Sequence, residues 1–336
     1  MQGKTKRFKA EWERQRAVLM AFPHEKSDWI ESIEAARENF LAIIREIARF
    51  EPVWVCIDPD DLIGKAMLQH LQIPQVKLLE IPVNDTWARD FGPISIEEDG
   101  CVKLLDFGFN GWGLKFRSDK DNQVNTRLSA AGILPHAMTK MPLILEGGSI
   151  DTDGQGRLLT NTQCLLEPNR NPHLSQSQIE ANLKEVLGVQ EVLWLHSGYL
   201  VGDDTDGHID TLVRFLNPQT IAYVQCEDKN DVHYAPLQKM QDELLALKNA
   251  QGKPYTLIPL PLPSAIDDGK QRLPATYANF LFINNALLVP TYGDKKDAQV
   301  LEILQKNCSD KEVIGIDCRT LIKQHGSLHC VTMQIY

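Results

Sequence analysis

One order of elements recurs along the chain: two short apolar strand-like runs, an amphipathic helix, then one more strand. The first complete copy reads PISIEE (93–98), VKLLDF (102–107), a helix within DNQVNTRLSAAGI, and the strand PLILE (142–146). The second has SIDT with RLLTN (149–161), a helix near LSQSQIEANLKEVLG and EVLWL (191–195). HIDTLVRFL, TIAYVQ, APLQKMQDELLALKN and YTLIPL (255–260) make the third, and NFLFIN (279–284), ALLVP, DAQVLEILQKN and EVIGID (312–317) the fourth. The closing run LHCVTMQI (328–335) lacks a helix of its own, whereas AVLMAF (17–22) is followed by one, ESIEAARENFLAIIREIARF, and by VWVCI. Joined across the two ends, these segments complete a fifth copy, interrupted by an extra helix and strand, DDLIGKAMLQHL and VKLLEIP.

Repetition of a supersecondary unit every few tens of residues predicts a closed or stacked array rather than one open sheet. A generic α/β domain in which strands and helices alternate is the alternative. The placement of the chemically loaded motifs favours the array. RDFGP, EGGS, GHID and GSLHC fall just before or within the first strand of successive units, so pseudo-symmetric units bring them to one centre.

The densest of these motifs is DDTDGHID, Asp203 to Asp210, with four carboxylates and one imidazole in eight residues. Like charges at that density require solvent screening or a bound cation. The formal net charge of −10 argues against nucleic-acid or anionic-membrane partners, which demand basic patches. No apolar run is long enough to span a membrane or to follow MQGKTKRFKAEWERQR as a signal peptide would, so a cytoplasmic protein is expected. The seven cysteines form no C-x-x-C pair and suggest neither a disulfide framework nor a zinc site. Most are expected to be buried reduced thiols. A homo-oligomer is left open.

Among the cysteines, Cys330 stands out because it follows the Gly326-Ser327 turn signal. On a strand its neighbour His329 would point to the opposite face, so a base for Cys330 is sought elsewhere. His208 is the candidate, with Asp210 two residues on and hence on the same side of a strand. Asp90 in WARDFGP and Glu146 before Gly147-Gly148 add carboxylates at equivalent places. Gly154 and Gly156 lack the spacing of a nucleotide loop. A thiol, an imidazole and several carboxylates without a metal pattern allow a cysteine protease, yet extra carboxylates there oppose thiol ionisation. A guanidine substrate reverses that objection: its planar charged fork matches carboxylates and, once bound, favours the thiolate.

TWARDFGP (86–93), LEGGSIDTDGQGRLLTNTQCLLEPNRNPH (145–173), DDTDGHID (203–210), QRLPATYANFLFINNALLVPTYGD (271–294) and GSLHC (326–330) together resemble the agmatine deiminase and bacterial peptidylarginine deiminase family of the guanidino-group-modifying superfamily. EWERQRAVLMAFPHEKSDW is similar to that family's opening, and the likeness runs nearly the whole chain. The resemblance implies an α/β five-bladed propeller (pentein) of pseudo-symmetric ββαβ units around one central site, with residues 1–336 forming a single catalytic domain. It implies Cys330 as nucleophile, His208 as general acid/base, and Asp90 and Asp210 as guanidinium-binding carboxylates. Trp87 would pack along the substrate's aliphatic linker. Asp204, where the family usually has Glu, would face the distal amine, and Glu146 joins the substrate-binding set. Thr211 replaces the Asn common after GH-x-D. The expected reaction is hydrolysis of the small cation agmatine to N-carbamoylputrescine and ammonia, in polyamine synthesis, without metal or organic cofactor. Free arginine or peptidylarginine is the alternative substrate, read through Arg272 or Arg170, and a non-catalytic guanidine-binding protein or a peptide-cleaving cysteine hydrolase are the remaining readings.

Overall fold

In a computed structural model describing residues 5–336, the strands form five separate sheets, three of three strands and two of four. Four of them repeat one plan in chain order. The first two strands pair antiparallel, and the third returns parallel to the second after a helical crossover, which a parallel connection requires. In the first sheet Ile94–Glu98 pairs with Cys101–Gly108 and that with Met138–Ile144. Asp151–Thr152, Arg157–Asn161 and Glu191–Leu195 make the second. Val213–Asn217, Thr220–Gln225 and Thr256–Pro261 make the third, and Leu281–Ile283, Ala286–Thr291 and Glu312–Asp317 the fourth.

The fifth sheet closes the chain on itself, as the end-to-end reading anticipated. Thr332–Ile335 runs antiparallel to Ala17–Ala21, with Thr332 opposite Met20 and Ile335 opposite Ala17. Ala17–Ala21 then lies parallel to Val53–Ile57, and that to Val76–Glu80. All five residues of Ala17–Ala21 are buried, which is why the segment reads as an unbroken apolar run. The crossover helix Ile33–Ile47 buries Ala36, Phe40, Ile43, Ile44 and Ile47, the helical spacing of one apolar face. The helix Gln176–Leu187 starts on a capping box in which the Ser175 hydroxyl accepts from the Gln178 amide and the Gln178 side chain answers the Ser175 N–H. The result is a mixed α/β fold, and no helix among the described residues is long and apolar enough to cross a membrane.

Three sequence expectations need correction. PLILE at 142–146 is not the third strand of its sheet; that strand is Met138–Ile144, with Pro142 inside it. It is an edge strand, where a missing ladder donor is tolerated. HIDTLVRFL is a strand only from Val213, because Ile209–Thr211 form a 3-10 turn in which the Thr211 amide and hydroxyl both donate to the His208 carbonyl. LHCVTMQI likewise becomes a strand only at Thr332, whose amide and hydroxyl both donate to the His329 carbonyl. In both places a threonine closes a turn and lifts the preceding residues off the strand. His208, Asp210 and Cys330 therefore sit on turns. Sequence reading also passed over the edge strand Lys6–Phe8, which is only three residues long and pairs with Ile94–Glu98 by setting Arg7 against Glu97.

Candidate active site

Each of the five sheets is preceded by a turn, and these turns meet. The helical turn Ala88–Phe91 carries Asp90, Gly147–Ser149 carries Gly148, Ile209–Thr211 carries Asp210 beside His208, and Asn279 and Cys330 precede Leu281 and Thr332. Two backbone contacts lock the set: the Arg89 amide donates to the Cys330 carbonyl at 3.1 Å, and the Gly148 amide donates to Asp90 Oδ1 at 2.9 Å. Gly148 has to be glycine. A Cβ there would lie 2.5 Å from His208 Nδ1, 2.9 Å from Asp90 Oδ1 and 3.1 Å from Asp210 Oδ2, so one missing methyl group lets three functional side chains converge.

Cys330 Sγ lies 3.8 Å from Asp210 Oδ2 and 3.3 Å from Asn279 Nδ2. Asn279 Oδ1 accepts from the His329 amide at 2.8 Å, fixing the turn that carries the thiol. Sequence reading missed Asn279, although it stands just before the first strand of the fourth unit, where the other units carry their motifs. Asp90 Oδ2 accepts from the Trp112 indole at 2.9 Å. The backbone from Gly111 through Leu114 is left-handed throughout (φ 69°, 54°, 79° and 68°), and this tight coil turns the indole toward the carboxylate. His208 stands 3.6 Å from Asp90 Oδ1 and 3.6 Å from Glu146 Oε2. Both ring nitrogens and Asp210 Oδ1 are buried and find no hydrogen-bond partner among the described residues. Buried polar atoms of this kind cluster where a ligand completes the bonding.

The electrostatics are uneven. Burial, with repulsion from Asp210 and Glu146, pushes Asp90 up to about 6, against the opposing pull of His208 and the Trp112 hydrogen bond. Burial acts equally on Asp210, but the hydrogen bond and charge of His329, with His208 and Arg214, hold it below the ordinary carboxylate range. Burial opposes a charged His208, yet Asp90, Cys164 and Glu146 raise its pKa well above the ordinary value. The Cys330 thiol is raised well above its usual range, by burial first and then by Asp210 and Asp90. These shifts favour the neutral thiol and the charged imidazole.

Asp90 and Cys330 open onto a cavity of about 210 Å³, and His208 and Asp210 stand one layer behind them. Its wall includes Trp87, Trp112, Phe116, Thr211, Gln324, His325 and Gly326, and four further carboxylates, Asp28, Asp85, Asp203 and Asp204. Trp87 packs on Trp29 with ring centroids 5.8 Å apart and lies so close to Gly326 that a Cβ there would fall 2.0 Å from its ring. Burial, with Asp203 adjacent, raises Asp204 to about 6.

The remaining candidates serve the frame. Glu146 is off the cavity wall, fully buried, with both oxygens accepting from Arg170 Nε at 3.0 and 2.7 Å, and so supports His208 from behind. Arg170 also donates to Asp206 and to the Thr205 carbonyl, and Lys115 bonds Asp206 and the Asp204 carbonyl, so these two bases hold the acidic loop. Asp203 accepts from Thr205 and Gly207 within that loop. Arg272 pairs with Asp231, and Arg89 bonds Gln334 and Glu11 rather than Asp90. Glu146, Cys164 and His208 place ligand-type atoms within 4.8 Å of one another, but both Glu146 oxygens already accept from Arg170 Nε.

Residues 7–335 match the family model for the Porphyromonas-type peptidyl-arginine deiminase. The agmatine deiminase of Pseudomonas aeruginosa (strain LESB58) is 33% identical, over 98% of this chain and 95% of its own. Among solved structures, one described as a "putative peptidyl-arginine deiminase" is 59% identical with a TM-score of 0.97 over 99% of both chains. The agmatine deiminase of C. jejuni, solved as a Cys-to-Ser variant with substrate bound, is 41% identical with a TM-score of 0.94, over 100% of this chain and 98% of its own. The chain belongs to the Porphyromonas-type peptidyl-arginine deiminase family.

Proposed function

We propose that this chain is an agmatine deiminase, hydrolysing agmatine to N-carbamoylputrescine and ammonia with no metal or organic cofactor. The observation that carries this reading is the cavity's charge. Asp90 lines it with the Cys330 thiol, which Asp210 approaches from behind, Asp28, Asp85, Asp203 and Asp204 add four more carboxylates to the same wall, and the only basic side chain on its described wall is His325. A dication with a guanidinium at one end and an ammonium at the other suits such a wall. Arginine brings a carboxylate to it, and Arg170 and Arg272, which could have received that carboxylate, are engaged with Glu146, Asp206 and Asp231. The agmatine deiminases among its relatives support the same choice.

In this account Asp90 and Asp210 clamp the guanidinium, whose charge offsets theirs and lowers the cost of ionising Cys330. Trp87 packs along the aliphatic linker. The Cys330 sulfur bonds to the guanidinium carbon, and His208 gives its proton to the departing nitrogen, which leaves as ammonia. The neutral imidazole then takes a proton from water as the water attacks the S-linked carbon. Carbon–sulfur cleavage returns the thiolate, the second water proton passes to solvent and the ureido product leaves, after which the thiolate regains from solvent the proton it gave up when the guanidinium bound. Asn279, within reach of the sulfur, steadies it through both steps. The five sheets act as the blades of a propeller around this centre, in one catalytic domain of residues 1–336. A cytoplasmic enzyme supplying polyamine synthesis is the matching physiological setting.

Ammonia release from agmatine, free arginine and an arginyl peptide, compared side by side, tests the reading. Agmatine should have the highest kcat/KM by at least tenfold; a higher value for either alternative would overturn the substrate assignment. Chelators should leave the rate unchanged, and activity lost to a chelator and restored by one metal would contradict the cofactor-free scheme.

A further inference from the structure

His329, the neighbour of the nucleophile, contacts a carboxylate through each ring nitrogen. Its side chain is fully buried, with Nδ1 2.7 Å from Asp210 Oδ2 and Nε2 2.7 Å from Glu11 Oε1. Ionised carboxylates only accept hydrogen bonds, and a neutral imidazole carries one N–H, so two contacts of this length need two protons across the three groups. Glu11 arrives from the N-terminal segment and is itself held by cations: Arg214 donates to Oε2, and Arg89 Nη1 lies 3.3 Å from Oε1. Arg214 is anchored in turn by Asp151 Oδ2 at 3.3 Å and the Phe280 carbonyl at 2.8 Å. A chain of alternating charge therefore runs from Arg214 and Arg89 through Glu11 and His329 to Asp210.

We propose that Glu11 and His329 form a positioning relay that keeps a proton on His329 Nδ1, and thereby holds Asp210 ionised and aimed at the guanidinium. The proposal rests on the deiminase reading. His329 touches no reacting atom; it acts through Asp210. On the cavity side Asp210 also faces His208, Cys330 and Asp90, with Arg214 behind it, while Glu11, Asp210, Arg89 and Arg214 surround His329. Burial, then Arg214 and Arg89, hold the imidazole below its ordinary pKa although the carboxylate on each nitrogen opposes them. Both carboxylates are also held below the ordinary range, so it is the 2.7 Å contact itself that places a proton on Nδ1 facing Asp210. The relay also explains why an N-terminal residue reaches the centre of the molecule.

Two substitutions separate the nitrogens. His329→Asn places an amide N–H where Nδ1 was, keeping the donor to Asp210 and losing Glu11; His329→Gln does the opposite. On whichever guanidine the wild type hydrolyses best, H329Q should lower kcat/KM roughly 30- to 150-fold, as expected for losing a hydrogen bond to a charged group. The acid limb of its pH profile should become steeper, because Asp210, easier to protonate, then titrates alongside Asp90. H329N should stay within about tenfold of wild type. Equal losses in both variants, tracking their thermal midpoints, or a better H329Q, would overturn the relay. A second readout needs neither variant activity nor substrate: nitrogen NMR of histidine-labelled wild type, with H329N used for assignment, should show Nδ1 of His329 protonated from pH 6 to 8. An unprotonated Nδ1 overturns the relay whatever the enzyme's substrate. A wild type inactive on agmatine, arginine and arginyl peptide overturns the deiminase reading and leaves the proton placement to the nitrogen spectrum.

Discussion

Asp90 and Asp210 are the same residue type, both buried, Asp90 3.6 Å from His208 and Asp210 3.8 Å from Cys330, yet their surroundings treat the charge in opposite ways. The hydrogen bonds to Asp90 come from neutral donors, the Trp112 indole and the Gly148 amide, and even with the His208 ring 3.6 Å away burial pushes it up to about 6. Asp210 is held by the His329 imidazole at 2.7 Å with His208 and Arg214 near it, and stays below the ordinary range. A short hydrogen bond together with nearby positive charge is enough here to reverse the effect of burial. Asp210 is a standing anion. Asp90 is a conditional one, whose charge is costly until a cation arrives.

The largest consequence is for turnover. Asp90→Asn and Asp210→Asn should each cost at least about 10³-fold in kcat/KM, because each leaves the guanidinium with a single carboxylate in a buried site. Steady-state ammonia release measures both, and a loss below tenfold in either would remove that residue from the clamp.

Stability should split the pair. Asp210 titrates lower in the fold than in the unfolded chain, so its charge stabilises the protein above the unfolded pKa, and that gain is lost as pH falls through its lowered folded value. Replacing it breaks a buried pair, and Asp210→Asn should cost about 3 kcal/mol at pH 8. Asp90 titrates higher in the fold, at about 6, so its charge costs stability above that pH and the cost fades as pH drops toward 4. Asp90→Asn should therefore stabilise the protein by about 1–3 kcal/mol at pH 8, and less at pH 5. Urea denaturation at the two pH values reads both signs; two destabilised variants would refute the contrast.

Asp204 extends the comparison along the cavity wall, where a third carboxylate is raised to about 6 by burial and Asp203. Asp204→Asn should cost agmatine about 1.5–3 kcal/mol in kcat/KM, and arginine less than that or nothing. Equal losses for both would show that Asp204 supports its loop rather than reading the distal amine.

The smallest effect isolates the neutral donor. Asp90 must be ionised to hold the guanidinium, so kcat/KM should fall as pH drops through about 6. Trp112→Phe removes one hydrogen bond worth about 1 kcal/mol and should move that limb upward by about half a pH unit to one unit. An unmoved limb would mean that another group sets it.

Much of this was legible in the sequence because the units repeat and the chemistry sits at one place in each. The pairing of Thr332–Ile335 with Ala17–Ala21 followed from an unpaired first strand and an unpaired last one. What was not legible was three-dimensional. The threonine bonds that turn His208 and Cys330 off their strands are local side-chain geometry, invisible to an alternation pattern. Asn279 has no charge to draw attention, and the role of Glu146 depends on Arg170, 24 residues away, reaching the same point. His329 looked like a strand neighbour pointing away from the chemistry; it points instead at Asp210, through which it acts on that chemistry.

The central claim is that the cation among these carboxylates is a guanidinium attacked by Cys330. Acid quench of the enzyme during turnover of agmatine, followed by peptide mass analysis, tests it most directly. The account predicts a mass increase on the peptide containing Cys330 equal to agmatine less ammonia, absent in Cys330→Ser. Turnover with no adduct on Cys330, or an adduct on Cys164 instead, would contradict it.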